Sequence, residues 1–143
     1  MDRDASRIYA ARGIEFEQRW FGPLNQIATN GPLAIGEIAA RLRITHVSVS
    51  QAVRSLEAAG FVVSSADATD ARRRVLSLSP SGQKKVAELA PLWAAFEQAA
   101  TALDNEAGGV TRLLDKLDDA LIAASLYDRV AALLGPQSEG HGV

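Results

Sequence analysis

Apolar positions recur along this chain in two rhythms. Ile8, Tyr9, Phe16 and Trp20 stand near helical spacing with charged residues between them, which predicts one helix over about Asp4 to Trp20. Gly22-Pro23 breaks that helix and opens a second, with Leu24 and Ile27 facing inward and Asn30-Gly31-Pro32 closing it. IGEIAARL predicts a third helix, Arg43-Ile44-Thr45 a tight turn, and HVSVSQAVRSLEAAG a fourth helix stopped at Gly60. The rhythm then changes. FVVSS and RVLSLS are rich in β-branched and large apolar residues and flank the turn-forming stretch Ala66 to Ala71, which predicts a β-hairpin. Ser79 as N-cap and Pro80 in the first helical position restart the helical rhythm. One apolar stripe follows through Val86, Leu89, Trp93, Phe96, Ala100 and Leu103, and Asn105 to Gly109 interrupts it. A second runs through Val110, Leu114, Leu117, Leu121, Ala124, Tyr127, Ala131 and Leu134.

The third and fourth helices and the hairpin give the fold class: mainly α with a small β-hairpin, a winged helix-turn-helix with long N- and C-terminal dimerisation helices. Two helices joined by a three-residue turn cross closely only if the crossing residue is small and the inward positions are apolar. Ala39 is that small residue, Ile35, Ile38 and Leu42 face inward from the first helix, Ile44 plugs the turn, and Val49, Ala52, Val53 and Leu56 face inward from the second. The chain reads as a single unit over 1–143. Within it, 18–79 form the winged helix-turn-helix, 1–17 and 80–134 the dimerisation helices, and 135–143 a flexible tail.

Composition narrows the chemistry. There is no cysteine among the 143 residues, which excludes disulfides, thiolate nucleophiles and zinc-thiolate sites. The only histidines are His46 and His141, too few for a histidine metal site or a Ser-His-Asp triad. No phosphate-cradling glycine loop is present, so an enzyme, a metal and a cofactor are all unexpected. No apolar run approaches the roughly 20 residues that span a bilayer, and the opening MDRDASRIYAARG lacks a signal-peptide core, which points to a cytoplasmic protein without a membrane partner. The net charge of −2 conceals an asymmetry. Residues 41–85 hold 8 basic and 3 acidic groups, +5, whereas residues 86–143 hold 3 basic and 9 acidic groups, −6. Positive charge gathered in the middle third is what a surface that meets phosphates requires.

With its apolar positions turned inward, the fourth helix presents His46, Ser48, Ser50, Gln51, Arg54 and Ser55 on its other face. Short polar side chains allow close approach to a major-groove floor, and Gln51 matches adenine bidentately. Thr45 caps this helix. Arg72, Arg73 and Arg74 leave the hairpin turn, where they can meet phosphates or a minor groove.

The string IGEIAARLRITHVSVSQAVRSLEAAGFVVSSADATDARRRVLSLSPSG resembles the winged helix-turn-helix of MarR-type transcriptional regulators. The most specific parts are Asp70-Ala71-Arg72, similar to the family's Asp-x-Arg wing motif, and Leu78-Ser79-Pro80-Ser81-Gly82, similar to its Leu-Thr-x-x-Gly segment. The resemblance implies that Asp70 pairs with Arg72 and fixes the wing, and that Arg72 or a neighbour enters the minor groove. It also places His46, Val47, Ser48, Ser50 and Gln51 on base- or phosphate-reading positions. The DNA-binding set expected is therefore Arg43, Thr45, His46, Val47, Ser48, Ser50, Gln51, Arg54, Arg72, Arg73 and Arg74. RIYAARGIEFEQRWFGPLNQIA further resembles regulator halves fused to acetyltransferases. The chain departs from the family pattern in three places. Arg43 stands where glycine is common, implying an added phosphate contact or a strained turn. Ser64 and Ser65 replace frequent basic residues, and Thr69 and Ala71 replace wing arginines, which weakens binding and flattens its salt dependence.

Two C-terminal stripes exceed what a 62-residue DNA-binding unit covers, so a homodimer is expected, with the chain itself as partner beside double-stranded DNA. The family resemblance adds a small aromatic effector, for which Tyr9, Phe16, Trp20, Trp93 and Phe96 are the candidate pocket; aromatic residues at this spacing also serve simply as core. The alternative function is a winged-helix module that binds protein and not DNA.

Overall fold

The structure, a computed structural model, describes residues 2–135. Residues 136–143, with His141 and most of the expected tail, lie outside the described residues. The chain divides between Leu92 and Trp93 into two compact units.

The first unit opens with α1 (Asp2–Ala11), which is shorter than the helix expected to reach Trp20. Gly13 takes a left-handed φ of 65°, which ends the helix. Phe16 and Trp20 therefore stand beyond it, Trp20 at the end of a 3₁₀ turn over Gln18–Trp20. Helices α2 (Phe21–Asn30), α3 (Ile35–Leu42) and α4 (His46–Ala58) follow at the expected places. Their apolar faces meet: Leu24, Ile27, Ile38, Ala39, Val49, Ala52, Val53 and Leu56 are all buried. Each fully buried aliphatic side chain stabilises the unit by about 1.5–3 kcal/mol relative to exposure. Ile44 does not join them. It is 46% exposed, because the turn it belongs to is closed by backbone bonds from Arg43 and Ile44 to the end of α3 and not by a buried plug.

Strands β1 (Val62–Ala66) and β2 (Arg74–Leu78) pair antiparallel, with Val62 opposite Leu78 and Ala66 opposite Arg74. Leu33 adds a single bridge to the outer edge of β2, its N–H donating to the Leu76 carbonyl at 3.2 Å and its carbonyl accepting from Leu76 at 2.8 Å. This ties the hairpin's root to the segment that leads into α3.

Helix α5 (Pro80–Glu106) begins as expected, with the Ser79 hydroxyl accepting from the Gly82 N–H at 2.9 Å and donating to the Gly60 carbonyl at 2.5 Å. Gly82 is required there. A Cβ on it would stand 1.9 Å from the Phe61 carbonyl oxygen, so only glycine lets this first helical turn approach the chain after α4. Pro91, which has no N–H to give to the preceding turn, lies just ahead of the division between the units.

The second unit holds the distal part of α5, then α6 (Val110–Ala123) and α7 (Leu126–Leu134). The link from α5 to α6 passes through Gly108 and Gly109, at φ 88° and 77°, and the Asp104 carboxylate accepts both the N–H and the hydroxyl of Thr111. The second stripe, read as continuous, is broken: Ala124 is extended, and Ser125 starts a new helix. The Ser125 hydroxyl accepts from the Asp128 N–H at 3.1 Å while the Asp128 carboxylate accepts from the Ser125 N–H at 3.1 Å, a reciprocal capping box. Arg129 closes the other side, donating to the carbonyls of Ala120 and Ala124. No residue of α6 or α7 is buried. No helix among the described residues is long and apolar enough to cross a membrane.

Candidate nucleic-acid interface

The expected recognition helix is α4, and its two faces differ sharply. Val49, Ala52, Val53 and Leu56 are buried against the rest of the first unit, while His46, Val47, Ser48, Gln51 and Arg54 are exposed and Ser50 is half-buried. Thr45 caps the helix as expected: its hydroxyl oxygen accepts from the Ser48 N–H at 3.1 Å and its proton goes to the Ser48 hydroxyl at 2.8 Å. These bonds leave Ser48 and the first turn held in place without a charged group. Val47 is 63% exposed, an apolar side chain on an otherwise polar face.

Ser55 moves to the other side of the helix. Its hydroxyl accepts from the indole N–H of Trp20 at 3.0 Å and from the Arg19 guanidinium at 3.1 Å, so it joins α4 to the 3₁₀ turn and does not point with Gln51. Arg43 sits in the left-handed region, at φ 54° and ψ 40°. Of the two meanings its replacement of glycine allows, the strained turn is present: a residue with a Cβ holds a conformation that favours glycine.

The wing departs from its expected wiring. Asp70 does not pair with the Arg72 guanidinium; its carboxylate accepts the Arg72 backbone N–H at 3.0 Å and its carbonyl accepts the Arg73 N–H at 3.0 Å. A short aspartate side chain fits such a turn better than a long ion pair does. Arg73 carries the ion pairs. One terminal nitrogen lies against the Glu37 carboxylate on α3 and the other is 3.4 Å from Asp67 in the hairpin turn. Glu37 is held by the Ala34 N–H at 2.9 Å, and Asp67 by the N–H and hydroxyl of Thr69 at 2.9 and 3.0 Å. These bonds set the electrostatics. The Ala34 N–H and then Arg73 hold the Glu37 carboxyl below its ordinary range, the Thr69 donors do the same for Asp67, and Glu37 pushes the Arg73 guanidinium up. Arg74 donates across the ladder to the Ser64 carbonyl at 3.2 Å. The Arg72 side chain makes no ion pair among the described residues.

Sequence reasoning missed Glu37 and Asp67. Turn composition marks Asp67, but nothing in the sequence connects position 37 with position 73.

The aromatic candidates fall in different units. In the first, Tyr9 stacks near Phe16 at 5.0 Å between ring centroids, Phe16 meets Trp20 edge-on at 5.6 Å, and Trp20 meets Phe61 at 5.8 Å. Tyr9 and Trp20 are buried, so this cluster is core. Trp93 and Phe96 are half-buried in the second unit, where the surface recess on α5 is lined by Ala94, Glu97, Gln98, Thr101, Ala102 and Asn105 instead. No group of three or more His, Asp or Glu side chains among the described residues is arranged to hold a metal ion.

Comparison with known proteins places these observations. The model of the MarR family matches residues 13–73, from the glycine that ends α1 to the arginine that anchors the wing. A protein from Pseudomonas aeruginosa described as a probable transcriptional regulator is 29% identical, with 80% of this chain and 92% of that one aligned at a TM-score of 0.59. S. aureus MepR in its DNA-binding conformation is 23% identical over 85% of this chain and 90% of its own, at a TM-score of 0.65. Bordetella bronchiseptica BpsR, whose DNA binding is regulated by 6-hydroxynicotinic acid, is 21% identical over 73% and 76%, at a TM-score of 0.63. A comparison with curated protein sequences returns no significant match. Residues 13–73, the helix-turn-helix and wing, are thus similar to the MarR family, and the solved structures that share the fold include transcriptional regulators.

Proposed function

We propose that this regulator binds double-stranded DNA sequence-specifically, as a homodimer on a palindromic operator. The observation that carries the reading is α4 itself: one face buried, the other offering His46, Val47, Ser48, Ser50 and Gln51 with a single charged residue, Arg54. A side chain with both a donor and an acceptor, such as Gln51, reads adenine in the major groove, and Arg43, Thr45, Arg54 and Arg74 lie on the elements that would flank the phosphates. Arg72, which makes no ion pair among the described residues, has a guanidinium suited to the minor groove. The +5 of residues 41–85 supplies the non-specific attraction. MepR, which adopts a DNA-binding conformation, shares the fold, and this supports the reading without identifying an operator.

The dimer reading rests on α6 and α7. Leu113, Leu114, Leu117 and Leu121 on α6, and Leu126, Val130, Leu133 and Leu134 on α7, are exposed in the single chain, and a second copy is the partner that covers them by symmetry. A two-fold axis would set two recognition helices about 34 Å apart, one turn of DNA. Release by a small aromatic effector is the further element; the regulation of BpsR by 6-hydroxynicotinic acid supports it. Such a protein works in the cytoplasm, where its DNA is.

Selection of bound DNA from a random pool tests the proposal and returns the operator. A palindromic consensus is expected, and Gln51→Ala should then change preference at one position by about 1–3 kcal/mol. Absence of salt-sensitive binding to any duplex would replace this reading with a winged-helix module that binds protein.

A further inference from the structure

The wing is attached to α3 at two places. At its root Leu33 and Leu76 exchange backbone hydrogen bonds, and nearer its tip the Arg73 guanidinium spans Glu37 and Asp67. A two-stranded hairpin is marginal alone, and one fixed only at its root can pivot about that point. The second attachment removes the pivot. Its three members are themselves fixed: the Glu37 oxygen that faces Arg73 also accepts the Ala34 N–H, the Asp67 side chain is tied to Thr69, and the Arg73 carbonyl accepts the Asp67 N–H at 2.8 Å. An isolated exposed ion pair contributes little, but carboxylates already oriented by backbone donors give up little freedom when the arginine arrives.

We propose that Arg73 is a positioning residue: bridging Glu37 and Asp67, it clamps the wing to the start of α3 and leaves Arg72 as the wing's DNA-contacting arginine. The role rests on the DNA-binding reading above, whereas the clamp itself does not. It also revises the expectation that all three wing arginines meet DNA. Arg73 has two carboxylates as partners and would lose both on turning to a phosphate, whereas Arg72 has none among the described residues.

Glu37→Gln separates the two roles by sign, because glutamine keeps an acceptor for the Ala34 N–H while removing the charge that holds Arg73. If Arg73 positions the wing, Glu37→Gln weakens operator binding about fivefold, and Arg73→Ala does the same, with no change in the slope of log affinity against log salt. Arg72→Ala should instead reduce that slope by about 0.9. If Arg73 were a phosphate contact, freeing it by Glu37→Gln would tighten binding and steepen the slope, and that result overturns the proposal. Hydrogen exchange of the full-length protein without DNA tests the clamp on its own. The amides of Asp67, Thr69 and Arg73 should exchange several-fold faster in Glu37→Gln and in Arg73→Ala, with those of α4 unchanged. Unchanged wing amides in both variants overturn the clamp, even in a protein that binds no DNA.

Discussion

The two units of this chain use the same apolar residues to opposite ends. In the first, every leucine, isoleucine and valine of α2 and the inward positions of α4 are buried by neighbours in the same chain. In the second, α6 and α7 bury nothing; Ile122 is 83% and Leu133 86% exposed. Helices so apolar and so exposed are not a finished core. The first unit buries its apolar faces within one copy, whereas the second leaves its own uncovered, and the dimer proposed above is what would cover them.

The sharpest way to break that contrast is Gly82→Ala. The added methyl meets the Phe61 carbonyl oxygen, a backbone atom that cannot rotate away, so the start of α5 or the end of α4 must shift. A loss of about 3 kcal/mol or more is expected in thermal or denaturant unfolding, and it should not depend on protein concentration. Full stability in this variant would show that the first unit is not built around this junction. Next comes Leu117→Asp, in the middle of the exposed face of α6. A charge there has little to disturb within one chain but must be desolvated when a second copy covers it. If the proposed dimer forms through this face, its dissociation constant should rise on the order of 100-fold in sedimentation analysis, with the helical content of the monomer intact. If the mass is unmoved, the face is not the one that pairs.

Particular residues show why the first unit was the more legible. A tight turn between two helices constrains its neighbours within a few positions, so Ala39, Ile38, Val49 and Leu56 could be placed inward and Thr45 at the cap from local spacing alone. The hairpin and Ser79-Pro80 were legible for the same reason. What escaped was set by contacts between distant positions. Glu37 and Arg73 are joined only by the way the hairpin folds back on α3, and Ser55 turns inward because Trp20 stands beside it. Ile44 looked like a plug because it is apolar, yet backbone bonds had already closed the turn. In the second unit the apolar spacing ran on through Ala124 and concealed a break that rests on a serine and an aspartate, residues that an apolar pattern does not count.

That break offers the finest test of the contrast. Where a helix has a core to lie against, its cap is one contribution among many; α7 has nine residues and no buried side chain, so its start depends on Ser125 and Asp128. Ser125→Ala removes the acceptor for the Asp128 N–H while leaving the backbone bond to the Asp128 carboxylate, and should cost about 1 kcal/mol. Where that cost is felt is the informative part. If α7 is held by a second copy, the cap works on the associated state. The shift in unfolding temperature should then shrink as the protein is diluted and dimers become scarce, since binding of a partner stabilises by mass action and a cap that works on the associated state loses its effect when that state is no longer populated. A shift equal at all concentrations would mean that α7 stands on its own capping within one chain, and the second unit would then be more nearly complete than its exposed leucines imply.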